Sequence, residues 1–302
     1  MSVPSLIVRG RPVPLGSRPV LMGIVNATPD SFSDAGLYPT LEARVERARE
    51  LLRAGAGIID IGGQSGVTNA PEIAAEEEIG RVVPLIQRVV GELRALVSVD
   101  TYKPAVAEAA IAAGAAIVND TSGLRDPELA EVCARTGAGL VLMHNRSAPK
   151  QRLTDPHLYE DVIEDVLGFL EDKLAVARSA GVPWEATLVD PGPDFAKTPA
   201  QTIDVLRQLD RVHALGRPVL LALSRKDFIG ALTGRPPRAR LAGTLAAIGY
   251  AAHWRGQILR LHDIAEAVDY LAVHEALTGL RDVPADLELA SELRREAPEE
   301  GC

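Results

Sequence analysis

Short, almost continuously apolar runs alternate along this chain with longer segments whose apolar residues return at helical spacing. The short runs are VLMGIV (20–25), IIDIG (58–62), LVSVD (96–100), AAIVND (115–120), GLVLMH (139–144), ATLVD (186–190), VLLALS (219–224) and QILRLH (257–262). Strands that lack alternation are those buried on both faces, as in a parallel sheet. The longer segments, such as LEARVERARELLRAGA and YEDVIEDVLGFLEDKLAVARSAG, read as amphipathic helices. Eight strand-then-helix units of this size predict an α/β fold, a closed (β/α)8 TIM barrel. No Gly-x-Gly-x-x-Gly follows the first strand, which argues against a dinucleotide fold. Residues 5–16 are expected to form a short hairpin over one end. The expected organisation is one domain over 1–280, then a charged tail over 281–302, frayed or disordered.

The strand ends are polar. They carry Asn26, Gly62-Gly63-Gln64, Asp100, Asn119, His144-Asn145, Asp190, Ser224-Arg225-Lys226, and Arg260 with His262 and Asp263. A single Asp or Asn after a strand is ordinarily a helix cap or a turn residue. Polar ends on nearly every strand of a barrel, however, converge on one mouth, where such barrels hold their active sites. The carboxylates and amide of Asp100, Asn119 and Asp190 suit a flat heterocycle with several N–H donors. Lys226 adds a cationic donor. Arg260 and His262 follow the eighth strand, where these barrels bind phosphate. His213, His253 and His274 lie in helical segments and read as structural. His144, at the end of the fifth strand, reads as a support behind the site.

Composition narrows the partners. The chain has 302 residues with 41 acidic and 32 basic side chains, a net charge of -9. That balance disfavours nucleic acid, and at 4% aromatic residues there is little for single strands to stack on. Cys133 and Cys302 match neither a disulfide framework nor a zinc spacing. No apolar run approaches a membrane span and no signal peptide is legible, so a cytoplasmic protein is expected.

The motifs MGIVNATPDSFSDAG, IDIGGQS, SVDTYK, IVNDTSG, LMHNR, DPGPDFAKT, LSRKDFIG and RLHD occur here in one order. In them the chain resembles the dihydropteroate synthases of the pterin-binding barrel family, over about residues 18–280. The resemblance implies a transferase of folate biosynthesis. It joins 6-hydroxymethyl-7,8-dihydropterin pyrophosphate to para-aminobenzoate with the help of Mg²⁺, and works as a homodimer. It implies Asp100, Asn119, Asp190, Lys226 and Phe195 for the pterin, with Lys197 on a segment lining the site. It implies Arg260, His262 and Asn26 for the pyrophosphate, with Asn26 serving the metal. Phe32, Ser65, Gly66, Val67, Arg225 and Asp227 fall at the acceptor pocket. Asn26, Asp34, Lys226, Arg260 and His262 are the catalytic set it implies.

The second loop departs from the family pattern Gly-Gly-Glu-Ser-Thr-Arg-Pro-Gly. This chain has Gly62-Gly63-Gln64-Ser65-Gly66-Val67-Thr68-Asn69, and Asp227 stands where Ser is common after Ser-Arg-Lys. Asp227 is expected to oppose the carboxylate of the acceptor unless Arg225 neutralises it. Two other readings stay open on the sequence. One is a pterin-binding paralogue with poor or altered acceptor use, even a non-enzymatic one. The other is a pterin-dependent methyltransferase serving a corrinoid.

Overall fold

The computed structural model describes residues 3–28, 38, 40–64, 68 and 71–294. A hairpin, β1 (Leu6–Val8) and β2 (Arg11–Val13), comes first. Eight parallel strands follow: β3 (Val20–Asn26), β4 (Ile58–Gly62), β5 (Val97–Asp100), β6 (Ile117–Asp120), β7 (Gly139–Met143), β8 (Thr187–Asp190), β9 (Val219–Ala222) and β10 (Gln257–Leu261). They pair in chain order, and β10 hydrogen-bonds to both β3 and β9, so the sheet closes into the expected barrel.

Helices fill the crossovers: α1 (Leu41–Arg53), α2 (Ala75–Leu93), α3 (Pro104–Ala112), α4 (Glu128–Thr136), α5 (Val162–Ser179), α6 (Pro199–Arg207), α7 (Leu209–His213), α8 (Asp227–Thr233), α9 (Leu241–Ala251) and α10 (Ile264–Leu277). Their starts are written locally. Thr198 and Gln201 form a reciprocal capping box on α6 with Pro199 at its first turn, and Asp161 accepts two amides at the head of α5. The short α8 is capped from a distance: Asp194 Oδ2 accepts the amides of Asp227 and Phe228 at 2.5 and 3.3 Å. Among the described residues no helix is long and apolar enough to cross a membrane.

The hairpin closes the N-terminal end of the barrel. Leu6, Val8 and Val13 are buried against an inner layer that includes Met22, Ile58, Ile117, Val141, Leu188, Leu220 and Ile258. The fit is close: a Cβ on Gly139 would stand 2.7 Å from Val8 Cγ1. Arg217, buried at the foot of the barrel, donates to Ser5 O at 2.8 Å and to Thr187 O at 3.1 Å. It thereby ties the hairpin to β8. A separate and larger apolar layer lies between the barrel and its helices.

Candidate functional site

A period of two along each strand decides what faces inward. The floor residues Ile58, Ile117, Leu188 and Ile258 are followed two positions later by Asp60, Asn119, Asp190 and Arg260. Those four therefore point into the same interior, one level above the floor. Asp100 joins them as the registered neighbour of Asn119. Asp120, one residue on, points outward, and its carboxylate accepts the amides of Ser122 and Leu124 at 2.8 and 2.5 Å. For Asp120 the turn-residue reading holds.

Arg260 organises this interior. Its Nε donates to Asp60 Oδ2 at 2.6 Å and its Nη2 to Asp100 Oδ2 at 2.7 Å. Asn119 Nδ2 donates to the same Asp60 oxygen at 3.3 Å. Asp60 is fully buried, and its Oδ1 finds no hydrogen-bond partner; nor does the buried Oγ of Ser98, its registered neighbour on β5. Burial pushes the Asp100 carboxyl up, Arg260 pulls it back, and the charge of Asp60 adds to the rise. Asp190 Oδ1 accepts the amide of Gly192 at 2.7 Å, and burial raises its pKa to about 6. Lys226, at the head of α8, holds its ammonium 4.3 Å from the centre of the Phe195 ring. Burial lowers the Lys226 pKa, with Asp194 and Asp190 opposing the fall. A flat ring with adjacent N–H groups finds carboxylate and amide acceptors here, with the Arg260 guanidinium at the same level and the Lys226 ammonium nearby.

A second, cationic region adjoins it. His262 Nδ1 lies 3.0 Å from Ser224 Oγ, and Arg47 Nη2 donates to the His262 carbonyl at 2.9 Å. Burial first, then Arg225, Arg260, Arg47 and Lys226, depress the His262 pKa to about 3. The imidazole is neutral at pH 7, so the charge offered to an anion comes from those four side chains. A groove of about 350 Å³ between α1 and the start of α10 adjoins it, and its walls mix Arg47 and His262 with the carboxylates of Glu50, Asp263 and Glu266.

The model of the pterin binding enzymes matches residues 22–262. The chain belongs to that family. The dihydropteroate synthase of Bacillus subtilis (strain 168) is 40% identical over 259 residues, which are 85% of this chain and 88% of that protein. A crystal structure of the Yersinia pestis dihydropteroate synthase with a sulfonamide drug superposes with a TM-score of 0.85 at 36% identity. The match covers 92% of this chain and all of that one. The Xanthomonas albilineans enzyme in complex with 7,8-dihydropteroate gives a TM-score of 0.79 at 39% identity, over 93% of this chain and all of that one.

Within this pterin-binding barrel, the structure brings together Asp100, Asn119, Asp190, Lys226, Phe195 and Arg260, with His262 beside them. Asn26 ends β3 in register with Gly62. Phe32, Asp34, Ser65, Gly66 and Val67 lie outside the described residues. Asp227 is exposed and paired with Arg240 Nη1 at 2.9 Å, with Arg152 at 3.8 Å. Its neutralising partner is thus Arg240; Arg225 pairs instead with Asp263, at 2.6 Å. Arg225 itself takes a left-handed φ of 60°. Gln64 accepts the amide of Ile73 at 2.9 Å and donates to Tyr102 Oη at 2.7 Å, joining the two ends of the second loop.

His213 stacks on Trp254 and bonds Gln257, and His274 stacks on Tyr270. Both are structural contacts. His144 sits fully buried behind the site, between Asp165 and Lys197. The sequence reading passed over Asp60 and Arg47. The signal for Asp60 was a lone carboxylate in the middle of an otherwise apolar run. For Arg47 there was none, because charged residues are ordinary on an outer helix.

Proposed function

We propose that the mouth of this barrel condenses 6-hydroxymethyl-7,8-dihydropterin pyrophosphate with para-aminobenzoate to give 7,8-dihydropteroate and pyrophosphate. The protein is then a transferase of folate biosynthesis, as its relatives are named. The observation that carries the reading is the set formed by buried Asp60, Asn119 and Asp190 and half-buried Asp100, with the Arg260 guanidinium among them and Lys226 nearby. No feature of the fold favours a non-catalytic or corrinoid-dependent alternative.

In this reading Asp190 and Asn119 take the amino and ring N–H groups of the pterin, and Lys226 donates to a ring acceptor. Phe195 packs against the ring. The C–O bond of the pterin methylene breaks as pyrophosphate departs, and the arylamine nitrogen forms the new C–N bond, then loses its proton. The amine is a neutral nucleophile, so no strong base is needed. The demand is for positive charge where the leaving oxygen becomes anionic, which Arg260, Lys226 and the His262 region supply.

Among the described residues no group of three His, Cys, Asp or Glu could hold a metal. If Mg²⁺ arrives on the pyrophosphate, the amide oxygen of Asn26 at the end of β3 would be a protein ligand for it. When bound, it would neutralise the leaving group. Arg225 stands at the acceptor side, where the motif also puts Phe32, Ser65, Gly66 and Val67, while Asp34 belongs to the first loop. A homodimer would use the apolar groove that Leu206, Phe228, Ala247 and Tyr250 line between α6, α8 and α9; sedimentation at equilibrium tests it.

A coupled assay of pyrophosphate release tests the function. Release should require both the dihydropterin pyrophosphate and para-aminobenzoate. Failure of the amine to promote release would refute the assignment.

A further inference from the structure

Lys197 is 1% exposed, yet among the described residues its ammonium bonds carbonyls and an imidazole rather than a carboxylate. Its Nζ donates to Gly192 O at 3.0 Å, to Phe195 O at 3.1 Å and to His144 Nδ1 at 2.6 Å. Three N–H groups meet three acceptors. Because His144 Nδ1 accepts, its proton sits on Nε2, which faces Asp165 Oδ1 at 2.8 Å. Asp165 is in turn gripped by Arg146 at 2.9 and 2.8 Å. One hydrogen-bonded line thus runs from the rim to the turn after β8.

That turn is unfavourable on its own. Gly192, Asp194 and Ala196 all take left-handed φ, of 65°, 65° and 50°, which suits the glycine, is tolerated by the aspartate and is costly for the alanine. A Cβ on Gly192 would lie 2.1 Å from His144 O, so the turn also presses on the end of β7. The same turn carries the amide that orients Asp190 and the ring that faces Lys226. A buried cation without a counter-ion opposes folding, and burial draws the Lys197 pKa down to about 7. Simple packing would be served better by an apolar side chain.

We infer that Lys197 is a positioning residue for the pterin subsite: its ammonium ties together the turn 192–195, so that Asp190 and Phe195 stand in the barrel interior, and the His144–Asp165 pair aims that ammonium. The inference rests on the assignment of Asp190 and Phe195 to the pterin. Neither Lys197 nor His144 reaches the reacting atoms; both act through the turn.

Calorimetry with 6-hydroxymethylpterin, alongside KM for para-aminobenzoate, tests it in the wild type, Lys197→Met and Asp165→Asn. Lys197→Met should weaken the probe by about tenfold or more, the worth of a charge-assisted hydrogen bond, and leave KM for the amine within about twofold. Asp165→Asn keeps the His144 contact but removes the charge, and should weaken the probe by about threefold. A folded Lys197→Met protein that binds the probe like the wild type overturns the inference, as does equal loss on both substrates. Should Lys197→Met fail to fold, Asp165→Asn decides: unchanged probe affinity overturns it and a selective loss supports it. A wild type that does not bind the probe at all removes the pterin reading of the site itself.

Discussion

Replacing Arg260 by Met removes the one cation that bridges two carboxylates inside the barrel. The side chain is 18% exposed, Asp60 is not exposed at all, and Asp100 is 25% exposed. At Asp60, water therefore cannot take over the role of the guanidinium. Removing one partner of a buried ion pair costs about 3–5 kcal/mol. For 302 residues at an unfolding entropy of about 2.1 cal/mol/K each, that corresponds to a fall in Tm of about 5–8 °C. The pH dependence is the sharper test. Asp100 is already raised by burial, and Arg260 is the group that holds it down. In the variant it rises further above its unfolded value, so the folded state prefers the protonated carboxyl. The stability deficit should grow as pH rises through that folded pKa, and shrink in acid, where a neutral carboxyl needs no cation. Thermal melts of wild type and Arg260→Met at pH 5 and pH 8 read this directly. A deficit equal at both pH values, or no deficit, would refute the account of Arg260 as the clamp between Asp60 and Asp100.

Asp190 should make pterin binding pH-dependent: below its pKa of about 6 the carboxyl protonates, and probe affinity should fall by up to about tenfold per pH unit, whereas Asp190→Asn binds about 1–3 kcal/mol more weakly with no such slope; a wild-type titration flat from pH 8 to 5 contradicts this. Restoring the family pattern with Gly66→Thr and Val67→Arg should raise turnover of para-aminobenzoate and sensitivity to sulfonamides together, by about 10²-fold at most, while Asp227→Ser alone changes little because Arg240 already holds that carboxylate. Initial rates and inhibition curves for the two variants separate these contributions. Arg217→Ala should lower stability by about 1–3 kcal/mol through unbonding Ser5 O and Thr187 O, with pterin affinity untouched; a matching loss of affinity would show that the foot of the barrel is coupled to its mouth. Chelating Mg²⁺ should weaken the pyrophosphate-bearing substrate but not 6-hydroxymethylpterin, and calorimetry with each ligand distinguishes the two.

The barrel was legible because parallel strands buried on both faces cannot hide: runs such as IIDIG and VLLALS have no polar face to confuse them with surface strands. The residues proposed for the ring were legible for a related reason, standing where each run turned polar. What escaped depended on distance along the chain. Asp60 looks like an intruder in β4 until Arg260, 200 residues later, is beside it. The start of α8 is capped by Asp194, which no window around Asp227 contains. The charge of Asp227 was matched in sequence to its near neighbour Arg225, but the backbone hands it to Arg240, thirteen residues on.

The hairpin of β1 and β2, with the apolar layer it covers, makes the barrel a blind shaft. Whatever rests against Asp60 and Asn119 has come in through the upper opening and must go out by it. The groups proposed for the ring lie deeper than Ser224, Arg225 and His262, which come after the level of Arg260 and its registered neighbour Ala222. A bicyclic guest seated below thus has its way out crossed by any second guest seated above. Under the proposed assignment, traffic of that kind is last in, first out: the ring compound would lead, the amine would follow, and the amine would have no productive seat until the ring is in place. An inhibitor lodged at the depth of Asp190 should accordingly compete with the ring compound, and raising the amine concentration should not displace it.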